Sequence, residues 1–320
     1  MDLFNPQTIK QILRKYNVHP QKRYGQNFLI DEKVADTMIE AAQITNDDTV
    51  LEIGPGIGNL TNKLCQKAKN VVSVEIDKTM YEIAKENTKN CPNVEILNQD
   101  ILSIDVSSLP SPLPSPHRGE EFPPQADPPL AEKVRGNYKI VSSLPYQITS
   151  PFLRKFLLPH HSSPSERGRI KEGVDLIVLL IQKEVAERLT AKPGSRDRGF
   201  MTVFVELLAD TQIIQTVSPE AFYPQPEVKS AIILIKPKLS QVEVGPLKSP
   251  RSDLHLDNFF KLVHAGFSSK RRKLRNSLSG GLGISTIETE ELLKKSEIDP
   301  NRRAETLTLE EWLELFTNYK

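Results

Sequence analysis

Three glycines within five residues, Gly54, Gly56 and Gly58, follow the apolar stretch Val50-Leu51-Glu52-Ile53 and precede Leu60, Leu64 and Ala68 at helical spacing. Strand, glycine loop and helix in that order form a nucleotide-type cradle, because glycine turns tightly and lets backbone crowd a ligand where a Cβ would intrude. Glu75 ends the next apolar run, Val71 to Val74, 17 residues beyond Gly58. A carboxylate at that offset accepts hydrogen bonds from a ribose diol. Asp100 closes a third run, Val94 to Gln99, and either meets a purine amine at the carboxyl edge of the sheet or only caps the next turn. Finally, Tyr138 to Ser143 reads as a strand that runs straight into Leu144-Pro145-Tyr146. Proline fixes the backbone there and presents a polar side chain, carbonyls and an aromatic ring at one edge. That set suits chemistry on an exocyclic amine: oxygens accept from its N–H groups and draw the lone pair out of ring conjugation, while Tyr146 stacks on the base.

The elements that must position these groups are strands alternating with helices, the pattern of a doubly wound, mainly parallel α/β sheet of about seven strands. Asp31 caps a helix reaching Ala42, Lys78 to Asn87 is helical, and Val174 to Ile181 and Ser230 to Ile235 are further buried strands. Residues Lys183 to Thr190 and Phe200 to Leu208 read as helices, and Gln212 to Val217 as another strand. Glycine spacing separates two kinds of ligand. A dinucleotide fingerprint needs glycine at position 59, where this chain has Asn59, whereas Glu52-x-Gly54-x-Gly56-x-Gly58 looks like the methyltransferase pattern for S-adenosylmethionine.

At 320 residues the expectation is one large domain, 1–238, with a short linker, 239–253, and a small helical domain, 254–320. Proline-rich stretches at about 109–135 and 160–173 interrupt the first domain as insertions. The net charge of +1 carries no global polyelectrolyte signature, so any nucleic-acid surface has to be local. One candidate is Lys270-Arg271-Arg272-Lys273-x-Arg275 beside an apolar helix, either a phosphate-contacting patch or a solvated face. Lys10, Arg14 and Lys15 lie off the apolar face of a first helix, the pattern of a plain amphipathic helix. Lys22 to Ile30 has neither period and either closes over a ligand or staples the N-terminus. Cys65 and Cys91 are the two cysteines; without metal-ligand spacing they are expected as reduced thiols of a cytoplasmic protein. The start lacks a basic and apolar leader pattern, and the longest apolar run, Leu176 to Ile181, is too short to cross a bilayer.

Six ordered blocks carry a family resemblance: Gly25-Gln26-Asn27-Phe28-Leu29, Glu52-Ile53-Gly54-Pro55-Gly56, Leu144-Pro145-Tyr146, Gln182 to Leu189, Phe222-x-Pro224-x-Pro226-x-Val228-x-Ser230, and Arg271 to Leu278. In these the chain resembles the bacterial small-subunit ribosomal RNA adenine N6-dimethyltransferases (the KsgA/RsmA family). The resemblance implies a Rossmann-like class I S-adenosylmethionine-dependent methyltransferase sheet with a small C-terminal all-α domain. It implies that Asn27, Leu29, Gly54, Glu75, Asp100 and Ser143 hold the cofactor. Ser143, Leu144, Pro145 and Tyr146 stand at the catalytic motif, and Phe222 either helps hold a flipped adenine or is an ordinary core aromatic. Lys270, Arg271, Arg272, Lys273 and Arg275 would bind RNA. The partners implied are small-subunit rRNA and the small ribosomal subunit or its precursor, met by a monomer that needs neither metal nor membrane. One departure stands out: the family's Asn-Leu-Pro-Tyr is Ser143-Leu144-Pro145-Tyr146 here, so a short hydroxyl replaces an amide carbonyl. A non-catalytic ribosome-assembly factor and a 23S rRNA adenine methyltransferase are the rival readings.

Overall fold

The computed structural model describes residues 1–20, 26–104, 138–158, 173–238, 252–269 and 271–319, with the side chains of Tyr146 and residues 252–255 outside that description. Both proline-rich insertions and Lys270 therefore lie mostly or wholly outside the described residues. Contacts divide the chain into two units, Met1–Lys183 with Gln212–Pro237, and Glu184–Thr211 with Lys238–Lys320.

The first unit opens with helix α1 (Pro6–Lys15), whose Asn5 cap accepts from the Gln7 amide and whose proline at the first turn needs no amide partner. Strand β1 (Phe28–Leu29), helix α2 (Glu32–Ala41, capped by Asp31) and strand β2 (Thr49–Ile53) follow. Helix α3 (Asn59–Leu64), strand β3 (Asn70–Glu75), helix α4 (Lys78–Asn87) and strand β4 (Val94–Asn98) complete the first half. Strand β5 (Tyr138–Ser143), helix α5 (Thr149–Leu157) and strand β6 (Val174–Gln182) begin the second half. After helices α6 (Lys183–Leu189) and α7 (Phe200–Leu208) come strands β7 (Ala209–Val217), β8 (Phe222–Tyr223) and β9 (Ser230–Pro237).

Seven of these strands form one sheet in the order β4-β3-β2-β5-β6-β9-β7. Pairings from β4 through β6 are parallel and β9 runs antiparallel to β6, so the expected doubly wound topology is present. The chain winds outward from β2 to β4, then resumes at β5 on the other side of β2, which makes the β2–β5 seam a topological switch point. Ligands of open α/β sheets bind outside the strand carboxyl ends at such a point. The central strands β2, β5 and β6 are buried on both faces: Val50, Leu51, Ile140, Val141 and Ile177 to Ile181 are all buried, as a parallel sheet covered by helices requires.

Two features of this unit were not expected. Strand β1 pairs antiparallel with β8, Phe28 opposite Tyr223 and Leu29 opposite Phe222, and the Ile30 amide donates to the Ala221 carbonyl at 2.7 Å. Cys65 and Cys91, expected as separate reduced thiols, are joined in a disulfide with Cα atoms 6.0 Å apart. The end of α3 and the turn after α4 meet there because Asn93 Nδ2 donates to the carbonyls of Cys65 and Ala68, a tertiary contact that spacing does not encode.

The second unit gathers α7 with helices α8 (Ser252–Phe267), α9 (Leu274–Leu282), α10 (Thr286–Lys295) and α11 (Leu309–Asn318). The division expected at 238 therefore differs from the compact units, because residues 184–211 pack with the C-terminal helices. Phe204 and Phe260 ring centres are 4.8 Å apart, and Phe259 meets Phe316 edge-on. Arg198, fully buried, donates to the carbonyls of Leu307 and Ala191 and to Glu206 at 2.6 Å. A buried guanidinium needs all three partners to offset its lost hydration, so Arg198 ties residues 191, 206 and 307 into one core.

Candidate active site

A cleft of about 1050 Å³, counting the part open to solvent, lies at the carboxyl ends of β2, β3, β4 and β5. Its floor is the glycine loop. Gly54, Gly56 and Gly58 all have positive φ, at +67°, +58° and +84°. At Gly56 an added Cβ would come within 3.3 Å of the Phe28 ring, and at Gly58 within 3.1 Å of Thr88 Cγ2, so a side chain there is strained by the backbone conformation and crowded by its neighbour.

Beneath the loop Glu52 is buried and its Oε2 accepts from Thr61 Oγ1 at 2.6 Å and Ser73 Oγ at 2.7 Å. Burial raises its pKa to about 7, against the two hydroxyls that favour the ionised form. Glu75 ends β3 with Oε1 accepting from the Asp77 amide at 2.9 Å and Oε2 from the Gly56 amide at 3.2 Å. Burial raises its pKa to about 7 as well. The Glu75 carboxyl thus joins the glycine loop to the start of α4. Asp77 caps α4 and also accepts from Gln26 Nε2 at 3.2 Å, which ties the segment before β1 to the cleft wall.

Of the residues expected to hold a ligand, Asn27, Leu29, Gly54, Glu75, Asp100 and Ser143 all line this one cleft. Asp100 lines the cleft, and its Oδ1 accepts from the Leu102 amide at 2.8 Å, so it caps the turn after β4. Lys155 on α5 donates to the carbonyls of Leu102 and Ile104 and so holds the turn that carries Asp100. Pro145 lines the cleft, but Leu144 is buried with its amide on the Leu180 carbonyl; its side chain is packing. Tyr146 begins a 3-10 turn, Tyr146–Ile148, and its side chain lies outside the described residues. Phe222 does not line the cleft. It is 3% exposed and packs in the same apolar cluster as Leu29, Val34 and Leu180, which favours the core-aromatic alternative.

Sequence reasoning missed Gln26, Phe28, Ile76, Met80, Gln99, Ile101 and Gln147, which also line the cleft. Ile76, directly after Glu75, is 54% exposed, an apolar wall facing the opening. Each missed residue adjoins or lies near one that was named, so proximity to a strand's carboxyl end was the available signal. Asn59, noted only as a missing glycine, donates through Nδ2 to the Leu29 carbonyl while its Oδ1 accepts from the Leu60 amide.

The basic run belongs to the second unit and divides in two. Arg271 and Arg272 are exposed, and their side chains make no hydrogen bond or ion pair among the described residues. Lys273 donates to Asn301 Oδ1 at 2.8 Å, and half-buried Arg275 pairs with Glu290 at 2.7 Å. Lys270 lies outside the described residues.

The sequence profile described as "Ribosomal RNA adenine dimethylase" matches residues 17–320. The chain belongs to that family. It is similar, at 36% identity over 98% of this chain and 96% of the relative, to the "Ribosomal RNA small subunit methyltransferase A" of Alkaliphilus oremlandii. The protein of that name from Clostridioides difficile is 36% identical over 95% of this chain and 92% of its own length. Among solved structures, a dimethyladenosine transferase from Plasmodium falciparum matches with a TM-score of 0.63 at 24% identity, covering 90% of this chain and 95% of that one. The 23S rRNA methyltransferase ErmE matches with a TM-score of 0.60 at 24% identity, over 91% and 99%. Both share the class I methyltransferase fold with this rRNA adenine dimethylase family member. Among the described residues, no helix is long and apolar enough to cross a membrane.

Proposed function

We propose that the chain dimethylates N6 of two adjacent adenosines in a hairpin loop near the 3′ end of 16S rRNA, using S-adenosylmethionine, during maturation of the small ribosomal subunit in the cytoplasm. The observation that carries this reading is the convergence of Asn27, Leu29, Gly54, Glu75, Asp100 and Ser143 on one cleft at the switch point. Membership of the family and the names of the small-subunit relatives support the substrate and weigh against the 23S alternative.

The cleft suits this cofactor. Its floor lacks side chains at Gly54 and Gly56, the buried Glu75 carboxyl lies beside it, and Ile76 and Ile101 add an apolar wall that suits a purine. When bound, S-adenosylmethionine supplies an electrophilic methyl group on a positively charged sulfur. Glu75 accepts from ribose hydroxyls, Asp100 from the adenine amine, and Asn27 and Leu29 cover the cofactor from the N-terminal side. Ser143 and the carbonyls of the Leu144-Pro145 turn accept from the N6 amine of the target base, which frees its lone pair for in-line attack. Tyr146 stacks on that base, which has left its own stack. Phe222 acts from the core by holding Leu29. No strong base is required, since the amine loses its proton to water after transfer, and orientation provides most of the acceleration. Arg271 and Arg272 contact rRNA phosphates, and the protein works as a monomer on the subunit or its precursor.

The test is incubation of purified protein with undermethylated small subunits and methyl-labelled donor, followed by mapping of the modified bases. Two adjacent dimethyladenosines are expected. Donor binding without incorporation would overturn the reading and favour the assembly-factor rival, which rests on Ser143. A Ser143→Asn variant that gained turnover from near zero would point the same way.

A further inference from the structure

Asn59 stands where a dinucleotide fingerprint has glycine, and its side chain bridges two parts of the cleft. It opens α3 and is buried. Gly58 before it offers no side-chain cap, so the Leu60 amide, one of the free donors of a helix's first turn, is met by Asn59 Oδ1 at 3.0 Å. With the oxygen held there, Nδ2 points across to the Leu29 carbonyl and donates to it. That carbonyl is available for a reason of register. The Ile30 amide bonds the carbonyl of the residue opposite it, Ala221, so Leu29 and Phe222, one step along, are a pair that exchanges no ladder bonds, and the Leu29 carbonyl turns away from β8. Leu29 is buried, and a buried carbonyl without a ladder bond needs another donor. Asn59 and Leu29 both line the cleft.

We propose that Asn59 is a positioning residue for the methyl donor: by tying the Leu29 carbonyl to the start of α3, its amide fixes the edge of the cleft that covers S-adenosylmethionine. The assignment rests on the cofactor reading above and adds a residue to it. Phe222 sets Leu29 from the core side by apolar packing, whereas Asn59 sets it from the glycine-loop side by a directed hydrogen bond. A glycine at 59 would leave the glycine loop and β1 without this tie, so the residue that departs from the dinucleotide fingerprint is the one that joins the N-terminal edge to the floor. Asn59 acts before the chemistry, on where the donor sits, and its loss belongs in donor affinity and not in the saturated transfer rate.

Full-length protein carrying Asn59→Ala or Asn59→Asp is titrated calorimetrically with S-adenosylmethionine at several pH values, without RNA and well below its melting temperature. The alanine variant is expected to bind donor about tenfold more weakly than the unaltered chain at every pH, the order of one directed hydrogen bond. Its single-turnover rate at saturating donor should change less than about 3-fold. Aspartate keeps the acceptor for Leu60, and its second oxygen donates to Leu29 only when protonated, the form that burial favours. Its deficit against the unaltered chain should at least match that of alanine at about pH 8 and shrink to less than about 3-fold by about pH 5.5. Taking the ratio at each pH removes the contribution that Glu75 and Glu52, the carboxyls beside the glycine loop, make to both chains. In the ligand-free alanine variant, hydrogen exchange should speed at the Ile30 amide relative to the amides of β2, which places the effect at Leu29 and not in global unfolding. Unchanged donor affinity in the alanine variant, a saturated rate that falls as far as the affinity, or an aspartate deficit independent of pH would overturn the assignment. Should the alanine variant fail to fold, the aspartate profile decides alone. Because affinity is read with donor only, absence of methyl transfer would overturn the proposed reaction while the titrations still decide the assignment, whereas absence of donor binding by the unaltered chain would overturn both.

Discussion

Leu29 lies opposite Phe222 in an antiparallel ladder only two residues long. The pairing brings a residue from the segment covering the cleft against one from the far end of the unit's sequence, and both are buried in one apolar cluster. Phe222 thus determines where the Leu29 edge of the cleft sits. Phe222→Leu keeps most of the apolar volume, so it is expected to lower stability by about 1 kcal/mol and weaken donor affinity through Leu29, with the saturated transfer rate changed less than about 3-fold. Thermal melts, calorimetric titration with the donor and single-turnover assays separate these effects. A large fall in rate with an unchanged melt would instead put the ring against the target base.

Glu75 gives the donor site a pH dependence. Burial raises its pKa to about 7, and ribose hydroxyls donate more strongly to a carboxylate than to a carboxylic acid. Donor affinity is expected to rise between about pH 6 and about pH 8 and to level off above that range. Glu75→Gln should weaken binding about tenfold or more at the upper end, as loss of a charge-assisted hydrogen bond does, and flatten the profile. Calorimetry at several pH values checks this; a profile in the variant like that of the unaltered chain would assign the dependence to another group.

Glu52 makes stability fall with rising pH. Its carboxyl ionises at its ordinary value of 4.5 when exposed and at about 7 when folded. Between those values the folded chain holds more protons than the unfolded one, so unfolding free energy declines as pH rises through the window and is level above it. The melting temperature of the ligand-free protein is expected to drop from about pH 5 to about pH 7.5. Glu52→Gln retains an acceptor for Thr61 and Ser73 and should reduce that slope, Glu75 accounting for what remains. An unchanged slope in this variant would mean that Glu52 does not ionise in the window.

The basic run should separate under mutation. Arg271→Ala and Arg272→Ala are expected to weaken rRNA binding and each to reduce the slope of log affinity against log salt by about 1, with little change in melting temperature. Arg275→Ala removes a half-buried partner of Glu290 and should lower the melt of the helical unit while leaving the salt slope nearly intact. Binding isotherms at several salt concentrations distinguish the two classes, and a Arg275→Ala slope reduced as much as the others would place that side chain on phosphate too.

What the sequence determined is the part of the molecule written in short-range pattern. Apolar runs ended by acids at Glu75 and Asp100, three glycines after β2, and the strand into Leu144-Pro145-Tyr146 specified the sheet, its winding and its carboxyl-edge site, because periodicity and backbone freedom act within a few residues. Only the tertiary structure decided the pairing of Leu29 with Phe222, the disulfide between Cys65 and Cys91, and the place of Gln147 on the cleft rim. It also moved residues 184–211 to the helical unit, where Arg198 bonds the Leu307 carbonyl, and it separated Arg275 from Arg271 within what reads as one charge run. These depend on which surfaces meet once the chain has folded, and the energy of such a contact resides in the partner as much as in the residue, so no local pattern carries it.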